Sequence, residues 1–112
     1  MTTTANPELQ ADSRHYFALT YDYVPDILEK RGPYRAEHIA LAQAQESEGK
    51  LLLGGAWGDP VDGALLIWLV HSADEVQQFI EKDPYVKNGL VTKFDIRPVA
   101  AVVGAWVTAA KK

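Results

Sequence analysis

The sequence predicts an α+β domain whose elements follow the order β-α-β-β-α-β. Three observations support it: apolar and polar residues alternate in short segments rich in aromatic and β-branched side chains, helical periodicity occurs between these segments, and turn-forming residues lie at the joints. The chain has 112 residues, the length of one domain with a single core. We expect a domain over residues 15–107, with a flexible tail at residues 1–14 and a short one at 108–112.

The first half of the domain is predicted to be a strand followed by a helix in two parts. Residues 15–23 are crowded with aromatic and β-branched side chains, which suits a strand with alternating faces. Pro25 ends that strand and opens a helical turn. The main helix is expected from Pro33 to Glu48 and should stop at Gly49, because glycine readily adopts the left-handed conformation. One face of this helix holds four residues at helical spacing: Tyr34, His38, Leu41 and Gln45.

A hairpin and a second helix should follow. Two apolar segments, residues 51–57 and 64–70, flank a run of turn formers and should pair with each other. Ser72 and Glu75 have the spacing of a capping box, in which each side chain bonds the backbone N–H of the other residue. They predict a helix over residues 73–82, whose buried face would hold Val76, Phe79 and Ile80.

A final strand completes the predicted sheet. It is expected over residues 90–98, and the apolar residues 99–107 would continue it as a strand or an extended arm. A single antiparallel sheet with both helices on one face is the natural arrangement for this order of elements, known as the ferredoxin-like layout.

The strand at residues 64–70 is apolar on both faces, and this feature predicts an oligomer. Two helices cover only one face of a sheet, so the other face would expose Leu66, Trp68 and Val70, or the alternate residues if the register differs. Burial of each large side chain contributes about 1.5–3 kcal/mol, so such a patch usually marks an interface. We expect sheet-on-sheet packing in a two-fold homodimer. The arm carrying Trp106 either reaches across to the partner or folds back on its own sheet.

The composition excludes several classes of function. Apolar residues make up 47% of the chain, charged residues make up 23%, and the net charge is −4. An acidic chain argues against nucleic-acid binding, and the lack of Cys excludes disulfides, thiolate catalysis and Cys-based zinc sites. The sequence shows neither a secretory signal nor an apolar run of the about twenty residues that a membrane helix needs. We expect a cytoplasmic protein without membrane or nucleic-acid partners.

His38 is the side chain best suited to acid–base catalysis. Histidine titrates near neutrality, so a half-buried imidazole can act as a general base or acid; the alternative is a structural histidine with one satisfied hydrogen bond. His15 and His71 lie at strand ends, where solvation is expected. Asp83 precedes a proline, where it either only starts a turn or also orients His38 through its carboxylate.

Three more residues are candidates for substrate binding. Arg35, one turn before His38, either holds an anionic substrate group or forms a surface ion pair with a Glu. Tyr34 and Tyr85 either wall the pocket or simply pack in the core. The pocket would lie between the helices and the sheet. No metal-ligand spacing, phosphate loop or nucleophile elbow occurs in the sequence.

These segments together resemble the YCII-related family over about residues 15–107. The resemblance rests on the order and spacing of residues 16–23, 35–38, 52–56, 59–64, 83–91 and 97–98. It implies a ferredoxin-like fold that dimerises as an α+β barrel. It also implies a His–Asp active site, with His38 and Asp83 in the matching places and Arg35 as the basic residue before the histidine. A few members of this group act without a cofactor on ring compounds, in dehydrochlorination or isomerisation.

The leading hypothesis is therefore a cofactor-independent enzyme of the isomerase or lyase type. It would act on a small organic substrate, with phenols and lactones as candidate classes. His38 would move a proton, Asp83 would orient His38, and Arg35 would assist an anionic group. The alternative is a non-catalytic dimer that binds a small molecule or accompanies a larger enzyme. The distance between His38 and Asp83 distinguishes these two hypotheses, because a catalytic pair must lie within hydrogen-bonding reach or be joined by one bridging water.

Overall fold

The computed structural model describes residues 13–107, so residues 1–12 of the expected tail at 1–14, and all of the expected tail at 108–112, lie outside this range. The strands are β1 (His15–Tyr23), β2 (Leu51–Trp57), β3 (Gly63–Val70) and β4 (Val91–Val99). The helices are α1 (Ile27–Lys30), α2 (Gly32–Ser47), α3 (Ala73–Lys82) and α4 (Pro84–Lys87). This is the predicted order, with a short helix added after α3. Over residues 13–107, no helix is long and apolar enough to cross a membrane.

The four strands form one antiparallel sheet in the order β2-β3-β1-β4. Alternate residues of the two central strands point to the helices and form most of the core together with α3. These sheet residues are Leu19, Tyr21 and Tyr23 of β1 and Ala64, Leu66, Trp68 and Val70 of β3. The helices therefore lie on one face of the sheet, and the ferredoxin-like α+β fold is confirmed.

The register of β3 decides which of its two apolar faces is covered. Leu66, Trp68 and Val70 are buried in the core rather than exposed, and Trp68 meets the ring of Phe79 edge-on at 5.0 Å between centroids. The alternate residues Leu65 and Ile67 point to the opposite face, where they are half-buried in the single chain. We call this side of the sheet, opposite the helices, the outer face.

The signals predicted at the helix ends are confirmed only in part. Gly49 follows α2 with φ 77°, the left-handed conformation expected for its stop. The prediction of a capping box is wrong. Within the described residues, Ser72 makes no side-chain capping bond, and the Glu75 carboxylate accepts a 2.8 Å hydrogen bond from the His71 N–H instead of the Ser72 N–H. A salt bridge of 3.3 Å to Lys50 holds the Glu75 carboxylate in that position.

The apolar residues after β4 return to their own sheet. The chain turns at Gly104, with φ 136°, and the Tyr16 hydroxyl of β1 donates a hydrogen bond to the carbonyl of Trp106. Val107 is buried, whereas Trp106 is 42% exposed. Of the two arrangements expected for this arm, the structure has the one that folds back.

Candidate active site

Asp83 is a fully buried carboxylate at the junction of α3 and α4. A residue before proline favours an extended backbone, and Asp83 has φ −70° and ψ 120°, which ends α3. Its carboxylate Oδ1 accepts a 3.0 Å hydrogen bond from the Tyr85 N–H and so caps α4. The predicted Asp-Pro turn is therefore present, and it holds the carboxylate inside the protein.

The same carboxylate contacts two distant parts of the chain, α2 and β1. Oδ1 lies 2.8 Å from Nδ1 of His38 on α2. Oδ2 accepts a 2.8 Å hydrogen bond from the Tyr21 hydroxyl of β1. A buried charge is tolerated when its oxygens are hydrogen-bonded, and these contacts, with the Tyr85 N–H, provide that compensation.

The imidazole of His38 is held by stacking as well as by Asp83. Its ring lies nearly parallel to that of Tyr85, with 3.8 Å between centroids and 5° between planes. Tyr85 in turn meets Tyr23 edge-on at 5.9 Å. The His38 side chain is still 15% exposed, so its neighbours fix the ring while leaving it accessible to a ligand.

A cavity of about 490 Å³ lies beside His38, between helix α2 and the strands β2 and β3. One stripe of side chains at helical spacing forms its helical wall: Arg31, Arg35, His38, Ile39, Ala42, Gln43 and Glu46. The strands form a mainly apolar wall of Leu51, Leu52, Leu53, Gly54, Gly55, Ala56, Ala64 and Leu66. Tyr23 and Tyr85 complete the lining near His38. The volume lies in the range of small-molecule sites.

The tyrosines around the site are held in their protonated form. Burial raises the pKa of Tyr21 well above its ordinary value, and the negative charge and hydrogen bond of Asp83 raise it further. Burial also raises the pKa of Tyr23 and Tyr85, against the opposing positive charges of Arg31 and Arg35. At neutral pH these hydroxyls therefore act as hydrogen-bond donors and not as phenolates.

The structure brings together four of the residues that the sequence singled out: His38, Asp83, Arg35 and Tyr85. Tyr34 is placed elsewhere: it is half-buried, packs against the core, and is not among the cavity-lining residues in the described part of the chain. His15 and His71 are exposed, as expected.

Two residues near the site were missed by the sequence reasoning. Tyr21 lies on the inner face of a central strand, where a buried hydroxyl needs a partner, and this was a usable signal. Arg31 lies one helical turn before Arg35, but it falls at the joint between α1 and α2, which sequence reasoning treated only as a helix boundary. Over residues 13–107, no group of three or more metal-ligating side chains is assembled.

Comparison with known proteins gives the family. The chain belongs to the YCII-related domain family, which it matches over residues 15–100. It is 31% identical over 86 residues to the protein YciI of Escherichia coli O6:H1, and the match covers 69% of this chain and 88% of that protein. The protein YciI of Shigella flexneri matches with the same identity and coverage.

Solved structures share the fold. The 5-chloro-2-hydroxyhydroquinone dehydrochlorinase from Burkholderia phenoliruptrix AC1100, in complex with 2,5-dihydroxybenzoquinone, superposes with a TM-score of 0.67. It is 26% identical, and the match covers 78% of this chain and 95% of that one. An uncharacterised NIPSNAP-like domain protein from Burkholderia xenovorans has a TM-score of 0.52 at 13% identity, covering 84% and 90% of the two chains, which is a likeness of fold alone.

Proposed function

We propose that this member of the YCII-related family is a cofactor-independent enzyme that transfers a proton on a small organic substrate bound beside His38. The observation that carries the proposal is the 2.8 Å contact between His38 Nδ1 and Asp83 Oδ1 at the wall of the cavity. This distance is within the reach required of a base and its orienting carboxylate. A purely structural histidine would need no ligand-sized cavity beside it.

In the proposed mechanism, Asp83 selects the tautomer of His38. The carboxylate accepts the Nδ1–H, so Nε2 carries the lone pair that takes a proton from the substrate. The buried negative charge then stabilises the imidazolium. Return of the proton to a neighbouring atom of the substrate completes an isomerisation. Loss of an anionic leaving group from the adjacent carbon completes an elimination, the reaction of a lyase.

The proposed substrate class comes from the structural relative. The dehydrochlorinase from B. phenoliruptrix is known in complex with 2,5-dihydroxybenzoquinone, a small ring compound. Dehydrochlorination removes a proton and a chloride, and a base in the place of His38 would begin such a step. Phenols and related ring compounds are therefore the first substrates to test, followed by lactones. Arg35 and Tyr85, which line the cavity, would bind the substrate.

Separate substitutions of His38 and Asp83 test the proposal on a panel of phenols, quinols and lactones. His38→Ala should lower kcat/KM by about 10²–10⁴-fold, the usual contribution of general acid–base catalysis. Asp83→Asn should lower it as well, because an amide can present an N–H where His38 needs an acceptor. His38→Asn serves as a second variant that can still donate a hydrogen bond to Asp83.

The matched control is His71→Ala, which removes an exposed histidine that is not among the cavity-lining residues. It should keep full activity. Circular dichroism and unfolding midpoints establish that each variant is folded. Turnover that survives both His38 variants would exclude His38 as the base.

A non-catalytic small-molecule-binding dimer is the second candidate function. The cavity itself favours it, since a cavity of about 490 Å³ can bind a ligand whether or not His38 reacts. This function predicts a panel compound that binds equally well to the wild type and to His38→Ala and that neither protein converts. Detection of product with the wild type alone would exclude it.

We also propose that two copies pack through the outer face of the sheet. Leu53, which also borders the cavity at the edge strand β2, is 47% exposed and pairs across the strands with the half-buried Ile67 of this face. On β4 the same face carries Lys93, Asp95 and Arg97, alternating charges that a two-fold copy could pair with opposite ones. Burial of these apolar side chains would stabilise the dimer.

Analytical ultracentrifugation tests the dimer. The wild type should sediment as a dimer, and Ile67→Asp should shift it to the monomer because a charge would be buried at the interface. The matched control is Leu28→Asp, which alters an exposed apolar residue of α1, away from the sheet. A monomeric wild type at micromolar concentration would contradict this part of the proposal.

A further inference from the structure

Arg31 and Arg35 line the cavity in the region of His38. Arg31 immediately precedes α2 and Arg35 lies one turn further, with His38 on the next turn, so the three side chains belong to one stripe. The positive charges of both arginines oppose the rise in the pKa of Tyr23 and of Tyr85. Both guanidinium groups therefore border the same cavity, and both act electrostatically on the two phenols that line it near His38.

Neither guanidinium is neutralised by a carboxylate within residues 13–107. The salt bridges of this part of the chain involve Lys30, Lys50 and His38. The Arg35 side chain interacts instead with the neutral phenol of Tyr85, whose pKa it lowers. The cavity-lining carboxylate of Glu46 lies eleven residues beyond Arg35, about 16 Å along the helix axis. Both positive charges thus remain available to a ligand.

The rest of the cavity is suited to the apolar part of a ligand. Between the arginines and Glu46, the lining includes Ile39 and Ala42 of α2, with Leu51 and Leu66 opposite. A guanidinium presents paired N–H donors in one plane, which matches the geometry of a carboxylate. We infer that the substrate is a small organic acid whose carboxylate binds Arg31 and Arg35 and whose apolar body extends along α2.

This inference rests on the proposed function and adds the orientation of the substrate. With the acid group on the arginines, the neighbouring carbon atoms lie beside His38. Removal of a proton from such a carbon leaves negative charge, and the two guanidinium ions stabilise that charge as it develops. The reverse orientation would place the carboxylate near Glu46, where like charges repel.

A comparison of benzoate with benzamide, measured by isothermal titration calorimetry, tests the inference. The two probes share one ring and differ in the charge of the acid group. Benzoate should bind at least tenfold more tightly, because a hydrogen bond to a charged group is worth that factor or more. Arg31→Gln and Arg35→Gln should each weaken benzoate binding about tenfold and leave benzamide binding unchanged.

Lys30→Gln is the matched control. Lys30 precedes Arg31 in the chain but is not a cavity-lining residue, so its loss removes an equal charge and an exposed salt bridge to Asp26 without changing the cavity lining. It should leave benzoate affinity within about twofold of the wild type, since exposed charges are screened by salt. A loss as large as that of the arginine variants would assign the effect to general charge and overturn the inference.

The remaining outcomes separate this inference from the proposed function. Equal affinity for the two probes, no benzoate binding at millimolar concentration, or unchanged binding in both arginine variants overturns the anion site. None of these results bears on turnover. Turnover that survives in His38→Ala and His38→Asn overturns the proton-transfer proposal, whereas retention of benzoate by these variants supports the anion site independently.

Discussion

The two long helices cover the same face of the sheet but pack on it differently. Helix α3 buries Val76, Phe79 and Ile80. Every residue of α2 is half-buried or exposed, and a cavity of about 490 Å³ lies between this helix and strands β2 and β3. The difference shows how the two helices of a small domain can differ in role: α3 packs closely on the sheet, while α2 packs loosely and leaves a cavity beside it.

Asp83 connects these two parts of the molecule. It directly follows α3, and its carboxylate contacts His38 of α2. The closely packed part therefore positions the carboxylate, and the loosely packed part carries the side chains that face the cavity. The four predictions below test this division, first through stability and then through ligand binding.

The largest expected effect on stability is that of Phe79→Ala in α3. Phe79 is buried against Trp68, and loss of a buried aromatic ring costs about 3–5 kcal/mol. The matched change in α2 is Leu41→Ala, which removes a half-buried side chain and should cost about 1–2 kcal/mol. Urea denaturation of both variants measures the free energies of unfolding. Equal losses would mean that the two helices are packed equally closely.

Tyr21→Phe should have the next largest effect. The change removes the hydroxyl that donates to Asp83 Oδ2, and an unsatisfied buried acceptor costs about 1–3 kcal/mol. Tyr34→Phe, on the loosely packed helix, is the control and should stay within about 0.5 kcal/mol of the wild type. The same denaturation measurement applies. An unchanged free energy of unfolding in Tyr21→Phe would show that the hydrogen bond from Tyr21 is not needed to stabilise the buried Asp83 carboxylate.

Alkaline pH should destabilise the protein through the closely packed tyrosines. The pKa values of Tyr21 and Tyr23 are raised in the folded state, so the unfolded chain loses these protons first as the pH rises above about 10. The unfolded state then binds fewer protons, and the free energy of unfolding falls by up to about 1.4 kcal/mol per pH unit for each tyrosine. Urea midpoints measured across this range should show the fall, with a smaller slope in Tyr21→Phe; equal slopes would contradict it.

Gly54→Ala should have the smallest effect on stability and a clear effect on binding. Gly54 faces the helix side of β2, where an added Cβ would lie 3.7 Å from the side chains of Leu51 and Leu66, an ordinary contact distance. Stability should therefore stay equal or rise by up to about 1 kcal/mol, because alanine has less freedom in the unfolded chain. The methyl group enters the cavity, so benzoate binding should weaken. The control is Gly55→Ala: Gly55 also borders the cavity, but it pairs with Leu65 of the outer face, so an added Cβ would point away from the cavity. Equal binding by both variants would contradict the placement of Gly54.

The fold could be predicted because its signals are local. Alternation in β1, the periodicity of Val76, Phe79 and Ile80, and the stop at Gly49 each depend on neighbours in sequence. The register of β3 could not be predicted, since both of its faces are apolar and only pairing with β1 decides which one is covered. The capping box failed for a similar reason, because Lys50 lies far away in sequence and contacts Glu75 only in the folded chain.

The site could be predicted only as a set of candidate residues. His38 and Asp83 were paired as one of two alternatives for the Asp-Pro turn, and the family resemblance supported that pairing. Their contact itself depends on where the turn after α3 lies against α2. The helix face expected from Tyr34 to Gln45 differs from the face that lines the cavity. One side of α2 packs against the core, and the adjacent side borders the cavity. The domain bounds, the lack of a cofactor and the cytoplasmic location stay predictions.

The loose packing of α2 has a consequence for how the cavity of such a domain can change. A new side chain on its cavity-facing stripe would change the shape and charge of the cavity and disturb few buried contacts. A comparable change on α3 threatens the whole domain. Under the proposed function, the choice of substrate could therefore be altered along a single helix, while the strands and the buried acid that hold the imidazole keep their places.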